Sequence, residues 1–454
     1  LPPQFAQDAA GAIPIWFVSP ENAEDVRGAI GETAARYAST CGFEPKPGRL
    51  QLLPGADGAL AGVLFGQGPD PLAAGKLATS LPAGVYRFAR APEEADLAAL
   101  GFLLGMYSYD RFKADASPRP RLAAPEGVDR QDIERVAAAI GFGRDLVNAP
   151  ANALTPAALE EEAAGLARSF DASVEIIRGD DLLAHNLPLI HAVGAAAAEP
   201  PRLVDFTWGR AGAPKVTLVG KGVTFDTGGL DIKPASGMEL MKKDMGGAAT
   251  ALTLARLVME SALDVRLRVL VPIVENAISA RAMRPGDILK SRKGLTVEIG
   301  NTDAEGRLIL ADALALAAGE TPELMFDFAT LTGAARVALG PDLPPFYTDD
   351  DALAADIAAH ASRVRDPVWR MPLWRPYDSM LDSPFADMNN SPGGPFAGSI
   401  TAALFLRRFV EGAKSWAHFD VYAWNPAARA HGPKGGEIQA ARGLFRLLRE
   451  RFAG

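Results

Sequence analysis

Four charged residues, Lys221, Asp226, Lys233 and Asp244, fall within one short stretch. Gly222, Gly228, Gly229, Pro234 and Gly237 are interleaved with them, and such residues let a backbone turn sharply. A second stretch, Asn301-Thr302-Asp303-Ala304-Glu305-Gly306-Arg307-Leu308, adds two carboxylates and a guanidinium. If that segment is extended, Asp303, Glu305 and Arg307 alternate onto one face. Carboxylates are hard oxygen donors suited to Mg, Mn or Zn, and no histidine lies near either stretch. Three carboxylates drawn from the two stretches could share a divalent cation, and a fourth would allow two. Any one of these residues alone reads as a solvated loop charge, the usual fate of Asp and Lys.

Elements must hold the two stretches in place. The apolar run 216–220 leads into the first as a buried strand, and a mostly apolar helix over 246–261 leads out. The second follows a strand candidate at 295–299 and precedes an Ala/Leu helix from about 308. Charged loops just past strands are where open α/β sheets bind ligands. Further strands are expected at 174–178, 203–207, 267–274 and 324–328, with helices at 157–169, 308–318 and 399–411 between or beyond them. Thr155-Pro156 reads as an N-cap followed by a proline at the first helical position. Strands buried on both faces with intervening helices predict a mixed, mostly parallel sheet in a three-layer α/β/α domain.

Residues 1–112 read as a smaller α/β domain. Its strands are expected at 13–18, 50–53, 61–65 and 84–88, and its helices at 23–38 and 92–106. No chemistry-bearing cluster falls there, so its expected role is scaffold or subunit contact. The polar, proline-rich stretch 113–128 is the expected linker, and 129–454 comprises a connecting helix over 129–148 and the larger domain that carries both charged stretches.

Composition narrows the function classes. At 454 residues the chain is long enough for two domains. A formal charge of −9 argues against an extensive phosphate-binding surface. The single cysteine, Cys41, excludes an intrachain disulfide and fits a reducing compartment. The opening residues, Leu1-Pro2-Pro3-Gln4-Phe5, show no basic region followed by an apolar core, so no signal peptide is expected. No run approaches the roughly 18 consecutive apolar residues of a spanning helix.

Together the two charged stretches resemble the leucine aminopeptidase family, two-metal peptidases that remove N-terminal residues. The octapeptide Asn301 to Leu308 matches the family signature at every position, and the spacing back to Lys221 agrees. The likeness runs from about residue 145 to about 420, and Arg144-Asp145-Leu146-Val147-Asn148-Ala149-Pro150 is similar to the family's entry segment to the catalytic domain. The resemblance implies a ligand set. Asp226 and Glu305 bridge two divalent ions (Mn or Zn, with Mg a third candidate). Lys221 and Asp244 complete the tighter site, and Asp303 the more exchangeable one. It implies a mechanism in which water activated between the ions attacks the scissile carbonyl. Lys233 then stabilises the gem-diolate, and a bicarbonate held by Arg307 serves as base. By the same likeness Leu331 contacts the bicarbonate, Thr330 and Gly333 the bound peptide, and Met241 the first side chain. Leucine-like first residues, short peptide substrates, a homohexamer and a cytoplasmic setting are family expectations. The stretch Ser391-Pro392-Gly393-Gly394-Pro395 departs from the usual family sequence, and Tyr422 to Arg429 lie where the likeness fades.

Two rival functions differ in class: a phosphoesterase using the same metal pair, and a DNA-binding regulator or structural member of the family with little peptidase activity. The lysine ligand and the lack of histidine disfavour the first, and the acidic balance disfavours the second. His418 reads as a satisfied core histidine on a strand. His185, His191, His360 and His431 lack metal-ligand spacing. Cys41 has no neighbouring histidine or second cysteine to make it a nucleophile.

Overall fold

A computed structural model describes residues 3–114 and 117–452. Residues 1–2, at the head of the segment read for a signal peptide, and 115–116, within the expected linker, lie outside the described residues, as do 453–454.

The chain forms two compact units, Leu1–Gly141 with Asn425–Lys434, and Phe142–Trp424 with Gly435–Gly454. The first is built on β1 (Ile13–Val18), β2 (Leu50–Pro54), β3 (Leu60–Gly66), β4 (Gly84–Arg90) and β5 (Pro120–Leu122), ordered β2-β3-β1-β4-β5. Its core includes the buried residues Ile15, Phe17, Val63, Phe65 and Tyr86. The helix expected at 23–38 is two helices, α1 (Ala23–Ile30) and α2 (Glu32–Thr40). They are parted by Gly31, whose φ of 81° no right-handed helix admits. A third, α3, spans Ala95–Gly105. This unit reaches past the stretch read as a linker. Pro120–Leu122 pairs in parallel with β4, and the Phe5 amide donates to Glu134 on helix α4 (Arg130–Asn148) at 2.9 Å.

The second unit carries a mixed sheet. Its strands are β6 (Ser173–Arg178), β7 (Arg202–Trp208), β8 (Lys215–Gly220), β9 (Gly222–Asp226) and β10 (Arg266–Asn276), then, after a small sheet described below, four more. That small sheet consists of β11 (Ile288–Lys290), β12 (Thr296–Glu298) and a later strand. The remaining main-sheet strands are β13 (Leu324–Ala329), β14 (Pro345–Tyr347), β15 (Trp369–Arg370) and, beyond β16 (Met388–Asn389) of the small sheet, β17 (Ser415–Asp420). The main sheet runs β15-β14-β17-β13-β8-β10-β7-β6, with β9 also on β10. The central β17, β13, β8 and β10 are parallel, while β7, β6 and β14 pair antiparallel with their inner neighbours.

Helices cover both faces. On one side α5 (Pro156–Arg168), α7 (Gly246–Glu260), α10 (Asp351–Arg363) and α12 (Ala441–Phe452) pack together. On the other, α6 (Pro188–Gly194), α8 (Glu305–Ala318) and α11 (Gly398–Arg407) do so, and the short α9 (Gly333–Leu339) meets α11. Alternate strand residues reach the two layers: Val219, Leu270 and Met325 join Leu308, Ile309 and Phe405 in one core. The expected three-layer α/β/α domain with a mostly parallel centre is the fold observed.

Two local expectations change. The strand candidate at 295–299 is β12, but it belongs to the small sheet β11-β12-β16 rather than the main one. Only Val297 of its three residues is buried, so it lacks the two covered faces of a central strand. The octapeptide is not extended. Asn301 Oδ1 accepts from the Asp303 amide at 2.8 Å, turning the chain so that α8 begins at Glu305.

Candidate metal centre

The first charged stretch runs along the carboxyl ends of β8 and β9. Lys221 lies between these strands, and Asp226 ends β9 in register with Asn276 of β10. Asp226 Oδ1 accepts from Asn276 Nδ2 and from the Gly228 amide, each at 2.8 Å, so its other oxygen is aimed by two fixed donors. Asp244 sits just before α7 and is oriented by the Thr330 hydroxyl, which donates to its Oδ1 at 2.7 Å. Thr302 ties the second stretch to the first, donating from Oγ1 to the Gly228 carbonyl at 2.6 Å while the Asp231 amide donates back to it at 2.8 Å. Glu305 is then presented from the first turn of α8, where a carboxylate is favoured by the helix dipole.

These elements bring all five expected ligand residues together. Oxygens of Asp226, Asp244 and Glu305 lie within 4.8 Å of one another, and all three residues are buried. Lys221 Nζ is 2.8 Å from Asp244 Oδ2, 2.9 Å from Glu305 Oε1 and donates to the Thr330 carbonyl at 3.2 Å. Lys233 Nζ pairs with Asp226 Oδ2 at 2.8 Å and also with Asp303 Oδ1. The lysine is therefore a wall of the carboxylate cluster rather than an exposed loop charge.

Crowding of like charge away from water is visible in the acidities. Burial, then the charge of Asp226, pushes Glu305 up to about 8 and Asp303 up to about 6. Burial opposes the Lys221 and Lys233 charges, yet their carboxylate neighbours hold both above the ordinary lysine range. Asp244 Oδ2, Asp303 Oδ1 and Glu305 Oε1 are buried, and the cations they face are the Lys221 and Lys233 ammonium groups. Convergent hard oxygen donors beside neutralisable lysines fit divalent cations.

Arg307, buried on α8, donates from Nη1 to the Asn390 carbonyl at 2.5 Å and lies 5.9 Å from the Phe405 ring. It makes no ion pair with the ligand carboxylates. Its Nε carries no hydrogen bond, and burial pulls its guanidinium down to about 10. Met241, Thr330, Leu331 and Gly333 line the same cleft, whose volume is about 440 Å³. The Leu331 amide is engaged, donating to Asp420 Oδ1 at 3.0 Å.

Sequence reasoning, which placed 387–390 in a family loop near the site, assigned no role to Asn390 or Asp420, the residues that hold this machinery. Asn390 Oδ1 accepts from the Gly300 amide at 2.8 Å and its Nδ2 donates to the Asn301 carbonyl at 2.7 Å, clamping the octapeptide. Asp420 accepts from the Leu331 and Thr332 amides, from Thr332 Oγ1 and from Ser399 Oγ. The available signal was a carboxylate at the end of a strand, β17, in register with the end of β13. His418 is fully buried, its Nδ1 2.5 Å from Asp327 Oδ1, and Trp416 Nε1 donates to the other oxygen at 2.7 Å. The histidine is thus satisfied on one nitrogen, and its Nε2 has no partner. Among the described residues no helix is long and apolar enough to cross a membrane.

Comparison with known proteins shows the family. Residues 141–445 match the family described as "Cytosol aminopeptidase family, catalytic domain", and residues 13–125 match "M17 aminopeptidase, N-terminal domain". A protein of Roseiflexus castenholzii named "Probable cytosol aminopeptidase" is 40% identical over 368 residues, covering 77% of this chain and 75% of its own. The cytosol aminopeptidase of Coxiella burnetii superposes with a TM-score of 0.94 at 43% identity, over 99% of this chain and 98% of that one. The bottromycin maturation enzyme BotP, solved in complex with Mn, does so with a TM-score of 0.86 at 34% identity, over 98% and 100%.

Proposed function

This chain belongs to the cytosol aminopeptidase family and is a metallo-aminopeptidase, and from that premise we propose how its cleft works. The reading rests on one observation: carboxylate oxygens of Asp226, Asp244 and Glu305, all buried, converge within 4.8 Å of one another. Asp226 and Glu305 would be shared between two divalent ions, Lys221 and Asp244 would complete one site, and Asp303 the other. Such ions, manganese or zinc with magnesium a third candidate, supply Lewis acidity that lowers the pKa of a bound water and polarises a carbonyl.

The chain's own residues would do the rest. Lys233 projects from the loop after β9 into the cleft and would donate to the oxyanion that develops at the scissile carbonyl. Arg307 would hold a bicarbonate ion as the base of the reaction, with Nη1 fixed by Asn390 and Nε left to donate. Leu331 would adjoin it, although its amide is bound to Asp420, so Arg307 is the donor on which this part depends. Thr330 and Gly333 would lie along the peptide backbone and Met241 beside the first side chain. We read the substrates as short peptides with a leucine-like first residue. We read the assembly as a homohexamer in the cytoplasm, with the N-terminal unit serving as scaffold or subunit contact.

Release of p-nitroaniline from leucine p-nitroanilide tests the centre, after chelation and add-back of Mn, Zn or Mg. Metal-dependent turnover that Glu305→Ala abolishes is the expected result. Failure of the chain to bind any of these metals would overturn the assignment.

A further inference from the structure

The cleft holds two cations to which the reading above gives no work. Lys243 Nζ lies 4.6 Å from the centre of the Tyr422 ring, and the Arg336 guanidinium carbon lies 4.7 Å from it. All three residues line the cleft, and Lys243 is only 5% exposed. Among the described residues, neither cation has a carboxylate within ion-pair distance. The two acids nearest to Lys243 along this wall are committed elsewhere. Asp244 is paired with Lys221 and accepts from Thr330. Asp420 has both oxygens occupied by donors from Leu331, Thr332 and Ser399.

A ring face compensates a buried ammonium only in part, and a charge withdrawn from water without a counter-charge is costly. A carboxylate delivered by a ligand would meet that need. The niche adjoins the reaction centre, because Lys243 immediately precedes Asp244 and Met241 lies two residues before it. Groups of a peptide bound over the metal ligands are therefore within its reach.

We propose that Lys243 and Arg336, arrayed on Tyr422, form a carboxylate-recognising subsite that makes this enzyme favour anionic peptide substrates. The carboxylate is either the side chain of an acidic first residue or the C-terminus of a short peptide. The proposal rests on the aminopeptidase reading of the same cleft, and only the first source would displace a leucine-like first residue.

Two matched pairs of substrates separate the sources: glutamyl against glutaminyl p-nitroanilide, and leucyl-glycine against leucyl-glycinamide. In each pair a carboxylate is exchanged for a carboxamide of nearly the same size. The metal-loaded enzyme should prefer the charged member of one pair by about tenfold or more in kcat/KM, the scale of one charge-assisted hydrogen bond. The pair that shows it identifies the source. Lys243→Met and Arg336→Gln should each erase most of that preference, acting through KM. Arg336 is exposed on α9, so its variant carries the test even where Lys243→Met does not fold. A wild type that ignores charge in both pairs, or variants that keep the preference, would overturn the proposal while leaucine p-nitroanilide turnover still upheld the peptidase reading. Absence of turnover on every substrate would sink both.

Discussion

Replacing Gly306 by alanine should disable the metal centre while leaving the fold standing. Gly306 is the second residue of α8, and a Cβ there would sit 2.5 Å from Lys221 Cε, 2.7 Å from its Nζ and 2.9 Å from its Cδ. Carbon atoms in good contact lie about 3.5–4.0 Å apart, so the lysine tail must retreat by about 1 Å. It has little room to do so. Lys221 is 3% exposed, and its Nζ is held among Asp244, Glu305 and the Thr330 carbonyl. Two opposing effects bear on stability. Alanine is the better helix former by up to about 1 kcal/mol, and overpacking a filled site costs about 1–3 kcal/mol. The net loss is then about 0–3 kcal/mol, small beside the roughly 5–15 kcal/mol of a typical native state. Function should suffer far more, since displacing a group at a reaction centre by about 1 Å can cost about a hundredfold. The assay is threefold: thermal unfolding, calorimetric titration of Mn into chelator-treated protein, and kcat/KM on leucine p-nitroanilide. We expect a modest fall in Tm with a steep fall in metal affinity and turnover. Wild-type affinity and turnover in Gly306→Ala would refute the idea that Lys221 must pass over this glycine. Global unfolding would refute the claim that the damage is local.

Two further outcomes follow from buried acids. Asp420→Ala leaves the Leu331 and Thr332 amides without their acceptor, at about 1–3 kcal/mol for each donor that stays buried. The substrate-facing loop should loosen, raising KM by more than tenfold in steady-state kinetics, and Asp420→Asn, which keeps one oxygen, should recover part of the loss. His418→Leu leaves the buried Asp327 carboxylate without its charged partner, and breaking such a pair costs about 3–5 kcal/mol, readable as a lowered urea midpoint. Burial pulls His418 down, but the charge and hydrogen bond of Asp327 prevail and hold it above its ordinary value. A raised pKa means that the pair's stabilisation is fully present below the unfolded value of about 6.5 and is lost as pH rises through the folded value. The gap between wild type and His418→Leu should therefore narrow in alkaline solution. A gap that widens with pH would contradict this.

The two charged stretches were legible by residue type and spacing, and the resemblance to the leucine aminopeptidase family supplied the expected ligand set within them. Their local backbone was not. Alternation at Asp303, Glu305 and Arg307 reads equally as a strand, and only the turn made by Asn301 commits Glu305 and Arg307 to a helix. The strands at 216–220, 267–274 and 324–328 were readable because burial on both faces leaves long apolar runs. At 296–298 a short run carries no mark of which sheet it joins. Asn276 and Asp420 escaped notice for a different reason. Each reaches the site through register with a neighbouring strand, Asn276 beside Asp226 and Asp420 beside Ala329, and register joins residues far apart in the chain. Gly31 illustrates the opposite limit: a single glycine inside a helical pattern is often tolerated, so its break shows only in the backbone angles.

The order of the main sheet also bears on how the protein is made. Strands β6, β7, β8 and β10, all complete by residue 276, occupy one contiguous side of it, whereas β13 and β17 are added outward from β8 afterwards. A nascent chain can thus lay down half of the sheet early and must then wait, with the flank of β8 open, until residues 324–329 emerge. An unpaired apolar strand edge invites pairing with other chains. The interval between β10 and β13 is therefore the vulnerable stage of synthesis, when a chaperone would matter most, and a ribosome stalled there would leave a fragment prone to aggregate.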